Sequence, residues 1–260
     1  MPAQRASAAL PAQPPVAVEP SARSARIAHI ATLDWPALRT AVADCRACSL
    51  CETRRQTVFG SGSTQAHWLV VGEAPGADED ASGEPFVGAA GQLLDAMLRA
   101  LGLSRADDAS MTGSDAASDA ASGDTDGKRL PPQRRAYIAN TLKCRPPGNR
   151  NPAPEEMAQC EPFLQRQIEL LRPRLILAMG RFAAQSLLRS TEPLGRLRGR
   201  VHRYQGLPLV VTYHPAYLLR SPAEKAKAWE DLCLAAETMD AMDAMQVTHA
   251  AEVPDAPATA

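Results

Sequence analysis

Three groups of residues have the types and spacing that chemistry needs. Cys45 and Cys48 form a Cys-x2-Cys pair, and Cys144 and Cys160 follow downstream, 16 residues apart. Such a pair puts two thiolates on one metal within about one turn of chain. Two distant cysteines can complete a four-thiolate site, suited to zinc or to a [4Fe–4S] cluster. Cys51 extends the run CRACSLC, so three upstream thiols stand for two places. Cys233 lies in a helical stretch and reads as a core residue.

The second group is GEAPGADED (72–80) followed by GEPFVGAAGQLL (83–94). Its glycines permit tight turns and close backbone approach. A loop of this kind after a strand can aim backbone N–H groups at an anion or a carbonyl oxygen. Glu73 stands at the strand end, and Phe86 follows Pro85 in an extended stretch. No Gly-Lys-Ser/Thr follows, so this is not a Walker loop. The third group is YHPAYLLR (213–220), where Pro215 stiffens the chain after His214. Tyr217, Leu218, Leu219 and Arg220 form an apolar knuckle with a cationic end.

These groups need elements to position them. The short apolar runs HWLVVG (67–72), AYIAN (136–140), RLILAMG (174–180) and LPLVVTYH (207–214) read as buried strands. Helical spacing marks 33–44, 91–103, 154–172, 181–188 and 222–238. Glu155 and Glu156 suit the positive start of the third helix, and Pro222 the first turn of the last. Strand–helix alternation predicts a three-layer α/β/α fold around a four-stranded parallel sheet. Ligands then bind beyond the carboxyl ends of the strands, which puts Glu73, Asn140, Gly180 and His214 along one rim.

The chain has 260 residues, 45% apolar and 4% aromatic, so aliphatic side chains must fill its core. No apolar run approaches the length of a membrane-spanning helix, which predicts no membrane partner. Six cysteines are too few for a disulfide scaffold. The net charge of −1 hides an asymmetry: residues 138–231 carry 15 basic and 8 acidic side chains, whereas 104–127 carry one Arg and six Asp. Residues 1–31, rich in Ala, Pro and Ser, are expected to be a disordered tail, as are residues 239–260. Residues 104–133 read as a solvated acidic insertion in a single domain spanning 32–238.

GEAPGADED, GEPFVGAAGQLL, NTLKCRPPGNRNP and HPAYLLR, with four cysteines in this order, resemble the family-4 uracil-DNA glycosylases. These are iron–sulfur enzymes of the wider uracil-DNA glycosylase superfamily. The resemblance covers about residues 38–233, apart from the 104–133 insertion. It implies a [4Fe–4S] cluster held by Cys45, Cys48, Cys144 and Cys160, with Cys51 outside the pattern. It implies a uracil pocket made by Glu73, Ala74, Pro75, Glu79, Phe86, Asn140 and His214. The partner is uracil-containing DNA, single- or double-stranded, and the protein is expected to be a cytoplasmic monomer.

The chemistry of excision assigns roles. A base inside a duplex must be flipped out before its glycosidic bond can be attacked. Phe86 would stack on the uracil, and Asn140 would donate to O4 and accept from N3–H. His214 would receive the charge that moves onto O2 as the bond breaks. The superfamily's usual water activator is an Asp one residue after the position matching Glu73, where this chain has Ala74. Glu73, or with less weight Glu79, would orient the water instead. Leu218, Leu219 and Arg220 would enter the duplex, and Arg196, Arg198, Arg200 and Arg203 are candidates for phosphate contacts. Two other readings explain fewer motifs: a zinc-stapled nucleic-acid-binding module without catalysis, and an iron–sulfur electron-transfer protein.

Overall fold

A computed structural model of the chain describes residues 22–106 and 130–251. Six strands form one sheet: β1 (Ser61–Gly62), β2 (Trp68–Gly72), β3 (Ala136–Asn140), β4 (Leu175–Met179), β5 (Val201–Tyr204) and β6 (Leu207–Thr212). Their order is β1-β3-β2-β4-β6-β5. The inner four are parallel, as the sequence predicts. The antiparallel edges β1 and β5 were not expected. β1 has two residues, too few for a pattern. β5 joins β6 through Gln205 and Gly206, both with positive φ (48° and 87°), the hairpin geometry that a Gly-containing two-residue turn favours.

The inner strands are buried on both faces, and the side-chain period of two divides them between two cores. Val70, Ile138, Leu177 and Val210 face α5 (Gly88–Ala100), α9 (Pro215–Arg220) and α10 (Lys225–Ala251). Leu69, Val71, Ile176 and Leu209 face α6 (Pro154–Leu171), α7 (Arg181–Leu188) and α8 (Leu194–Leu197). A third core joins α1 (Ala22–Thr32), α2 (Trp35–Ala43) and α3 (Leu50–Thr53) to α6, with Ile30, Leu38, Val42, Leu50 and Phe163 buried among four of the cysteines. α4 (Ala77–Ser82) follows the Gly-rich loop.

The domain boundaries differ from the expected ones. Residues 22–31 belong to α1, whose Arg26 donates to the Gln159 carbonyl and whose Ile30 is buried. Ala and Arg are strong helix formers, which a reading for disorder overlooks. At the other end α10 continues past 238, with Met239 in the core and an Arg174–Asp243 ion pair. Ser104 bridges Arg135, so the flanks of the insertion are part of the body. Residues 1–21, 107–129 and 252–260, where most of the tail and insertion expectations fall, lie outside the described residues. Among the described residues no helix is long and apolar enough to cross a membrane.

Candidate active site

The parallel register brings the predicted rim together. Gly72 pairs with Asn140, and Met179 with Thr212. Glu73 and Gly180, the residues just beyond two of those ends, and His214, two residues beyond Thr212, line one open cleft with Ala74, Pro75 and Glu79. The loop after β2 is tied to the loop after β3: Thr141 N–H donates to the Gly72 carbonyl and Leu142 N–H to that of Glu73, each at 3.0 Å.

Asn140 is 1% exposed, and neither its Nδ2 nor its Oδ1 has a hydrogen-bond partner. A buried amide left unpaired on both atoms is costly, and such groups in native folds usually serve a ligand. Gly72 keeps the space open, because a Cβ there would lie 2.3 Å from Asn140 Oδ1 and 2.6 Å from the Phe86 ring. Lys143, itself buried, donates from Nζ to the Asn140 carbonyl at 2.9 Å and to Gln167 Oε1 at 2.6 Å, which fixes the strand end.

Phe86 is buried and has φ +53°, a left-handed conformation uncommon for a bulky side chain. Glu79 Oε1 accepts its backbone N–H at 2.6 Å, and Glu79 Oε2 accepts that of Gly76. Both oxygens of Glu79 thus hold backbone, although the residue reaches the cleft wall. No hydrogen bond among the described residues engages the Glu73 carboxyl, and burial pushes its pKa up to about 7 against the pull of Arg181. Of the two acids, Glu73 is the one with free oxygens at the cleft.

His214 caps α9: its Nδ1 accepts the Ala216 N–H at 3.2 Å. That bond places the ring proton on Nε2. Burial, helped by Arg220, pushes its pKa down to about 4, so the ring is neutral near pH 7. The imidazole and the Phe86 ring are offset and nearly parallel, 5.1 Å between centroids and 25° between planes.

The HPAYLLR segment departs from expectation. It is the helix α9, and Leu218 packs into the core at 1% exposure, so Leu218 is corrected to a core residue. Leu219 is 43% exposed, Tyr217 is exposed and stacks on Tyr213, and Arg220 lines the cleft. Helical spacing puts neighbours on different faces, which a loop reading does not anticipate. Of the four candidate phosphate arginines, only Arg198 is drawn into a buried pair. Arg198 is paired to the buried Asp231 at 2.7 Å, and none of the four lines the cleft. Arg150, Arg181 and Arg220 line it instead. The sequence reading passed over Arg150 and Arg181, since nothing local marks which arginines a loop will bring to the rim.

The predicted cysteines also converge. Cys45, Cys48, Cys144 and Cys160 line a single recess with Cys51. Cys233 is half-buried on α10, away from that recess. Among the described residues no three His, Cys, Asp or Glu side chains are arranged to hold a single metal ion. The donors around the sulfurs fit a larger anionic group. Arg54 donates to Cys144 Sγ at 3.0 Å, Lys143 N–H to Cys160 Sγ at 3.3 Å, and Arg26 to Cys45 Sγ at 3.7 Å. Donors to ligating sulfurs orient them and offset their negative charge. Burial pushes the Cys160 thiol up to about 12 and that of Cys144 upward as well, so without a metal both stay protonated near neutral pH.

The pattern of the uracil DNA glycosylase superfamily matches residues 59–233. The chain is 39% identical over 189 residues to the type-4 uracil-DNA glycosylase of Archaeoglobus fulgidus, covering 70% of this chain and 81% of that one. It is 37% identical over 212 residues to the type-4 uracil-DNA glycosylase of Pyrobaculum aerophilum, covering 78% and 93%. A type-5 uracil-DNA glycosylase of the same organism is 33% identical over 87 residues, covering 33% and 38%.

Proposed function

This chain belongs to the uracil DNA glycosylase superfamily, and we propose that its cleft excises uracil from DNA by the following division of labour. The activity is that of a DNA-repair glycosylase: hydrolysis of the bond between uracil N1 and the sugar C1′, leaving an abasic site. The observation that carries the residue assignment is the buried Asn140 amide with both polar atoms unpaired. Uracil presents an acceptor at O4 and a donor at N3, the complement of an amide edge. Cytosine presents the reverse, which leaves buried polar groups unpaired.

The flipped base stacks on Phe86, and His214 Nε2–H donates to O2. The bonding electrons move onto the uracil as C1′–N1 breaks. A neutral donor held by its helix cap stabilises the developing negative charge without itself losing a proton. The sugar becomes oxocarbenium-like, and water adds to C1′. The Glu73 carboxylate orients that water and takes up its proton. Ala74 and Pro75 shape the wall between Glu73 and α4. Arg220, with the missed Arg181, faces the DNA backbone, Arg150 at the cleft edge is tied to Glu156 through both terminal nitrogens, and Leu219 and Tyr217 are the exposed side chains that hold the gap in the duplex. Glu79 is a positioning residue.

Cys45, Cys48, Cys144 and Cys160 would hold a [4Fe–4S] cluster, which supplies a structural tie between the α2–α3 segment and α6. The sulfur-directed donors from Arg54, Arg26 and the Lys143 backbone support this assignment. We place the protein in the cytoplasm as a monomer; reduced cysteines there would remain available as cluster ligands.

One experiment tests the reading: release of free uracil from single- and double-stranded oligonucleotides, with a visible absorption spectrum of the purified protein. Uracil release by a brown protein is expected. Release by a colourless, cluster-free protein would refute the cluster, and DNA binding without release would refute the catalytic assignment.

A further inference from the structure

Arg105 has no role in the reaction described so far, and the sequence reading placed it within the insertion. Its guanidinium is aimed at the Phe86 turn. Nη1 donates to the Pro85 carbonyl at 2.9 Å and Nη2 to the Phe86 carbonyl at 3.0 Å. The other side of the fork is held by Asp95 of α5, with Nε to Oδ1 at 2.8 Å and Nη2 to Oδ2 at 3.0 Å. Gly91 of α5 lets the helix approach, since a Cβ there would lie 1.7 Å from the Phe86 carbonyl oxygen. Glu79 holds the Phe86 N–H from the opposite side.

A strained residue persists only where its surroundings over-determine it. Here one residue with φ +53° has its N–H, its carbonyl and the preceding carbonyl all fixed by charged side chains. Remove the guanidinium and two carbonyls face the Asp95 carboxylate with no donor between them. The peptide then has every reason to rotate, and the ring leaves its place beside Gly72, Asn140 and His214. We infer that Arg105, oriented by Asp95, positions the Phe86 ring that receives the flipped base. The inference rests on the stacking role of Phe86 proposed above. Arg105 touches neither base nor sugar, so it acts only through Phe86.

A double-mutant cycle tests this with single-turnover uracil release by Arg105→Gln, Phe86→Ala and the double variant, each judged folded by melting and visible absorbance. Binding to an abasic-site duplex, which has no base to stack, is measured in parallel. Arg105→Gln is expected to slow release by about tenfold to a hundredfold, the usual scale of a small misplacement. The double variant should be no slower than Phe86→Ala within about twofold, and abasic-duplex affinity should be unchanged. Arg105→Lys should not rescue, because an ammonium cannot serve two carbonyls and a carboxylate in one plane. Losses that multiply in the double variant, weakened abasic-duplex binding in step with the rate, or a wild-type rate in Arg105→Gln would each overturn the inference. Should Arg105→Gln fail to fold, Asp95→Asn, which keeps the guanidinium but frees it, takes its place in the cycle. Wild-type release by Phe86→Ala would overturn the stacking role and this inference with it, whereas multiplied losses overturn this inference alone.

Discussion

Asn140→Asp is the sharpest test of the pocket, because it keeps shape and replaces the amide donor with an ionisable oxygen. Asn140 is 1% exposed, and neither amide atom is held by the protein, so no neighbouring group can compensate. The substitution replaces the donor facing uracil O4 with a second acceptor. Losing a buried hydrogen bond and leaving two acceptors face to face costs about 3 kcal/mol or more. At about 1.36 kcal/mol per decade, single-turnover uracil excision falls by roughly two orders of magnitude or more. A carboxyl can accept from the cytosine N4 amino group and, protonated, donate to N3. A trace of cytosine excision is therefore expected, limited by the poorer leaving group and by pairing with guanine. Single-turnover rates on U·G, C·G and single-stranded uracil substrates measure both effects. Wild-type uracil excision by Asn140→Asp at a pH where the new carboxyl is ionised would refute the argument, since an edge reader cannot lose its donor without loss of rate.

The remaining predictions concern protons, metal and surfaces. Glu73 must be ionised to hold the water, and burial raises its pKa to about 7, so the single-turnover rate should climb as pH rises through about 7. Glu73→Gln should flatten that climb. His214, its pKa pushed down to about 4, stays neutral throughout, so His214→Ala should lower the rate without shifting the profile or changing base choice. Cys144→Ala should lose the brown colour and much soluble yield, while Cys233→Ala keeps both, read by visible absorbance. Leu218→Ala should lower stability by about 2–5 kcal/mol in denaturant melts, as for a buried leucine, whereas Leu219→Ala should leave stability alone and weaken excision from duplex more than from single strands. Truncation after residue 238 should destabilise the protein, because it removes Met239 and Asp243, and removal of residues 1–21 should leave the rate unchanged.

The sequence by itself determined the parallel sheet, the order of its four inner strands' motifs and the residues at their carboxyl ends. Those features are written in local patterns: uninterrupted aliphatic runs for strands buried on both faces, turn residues after them, and cysteines at ligand spacing. It also named Glu73, Asn140, His214 and the four cysteines, which the register and the third core then brought together. Tertiary structure alone decided what each neighbour leaves free. Glu79 and Glu73 look alike in GEAPGADED, yet only packing gives both oxygens of Glu79 to backbone and leaves those of Glu73 open. Leu218 and Leu219 are adjacent and chemically identical, yet the turn of α9 buries one and exposes the other. Arg198 and Arg105 each sit in a stretch read as surface, yet Asp231 and Asp95, distant in sequence, draw them to structural work. The physical reason is common to all of these: a side chain's type fixes what it can donate or accept, whereas its partners across the fold fix which of those capacities remain unused for chemistry.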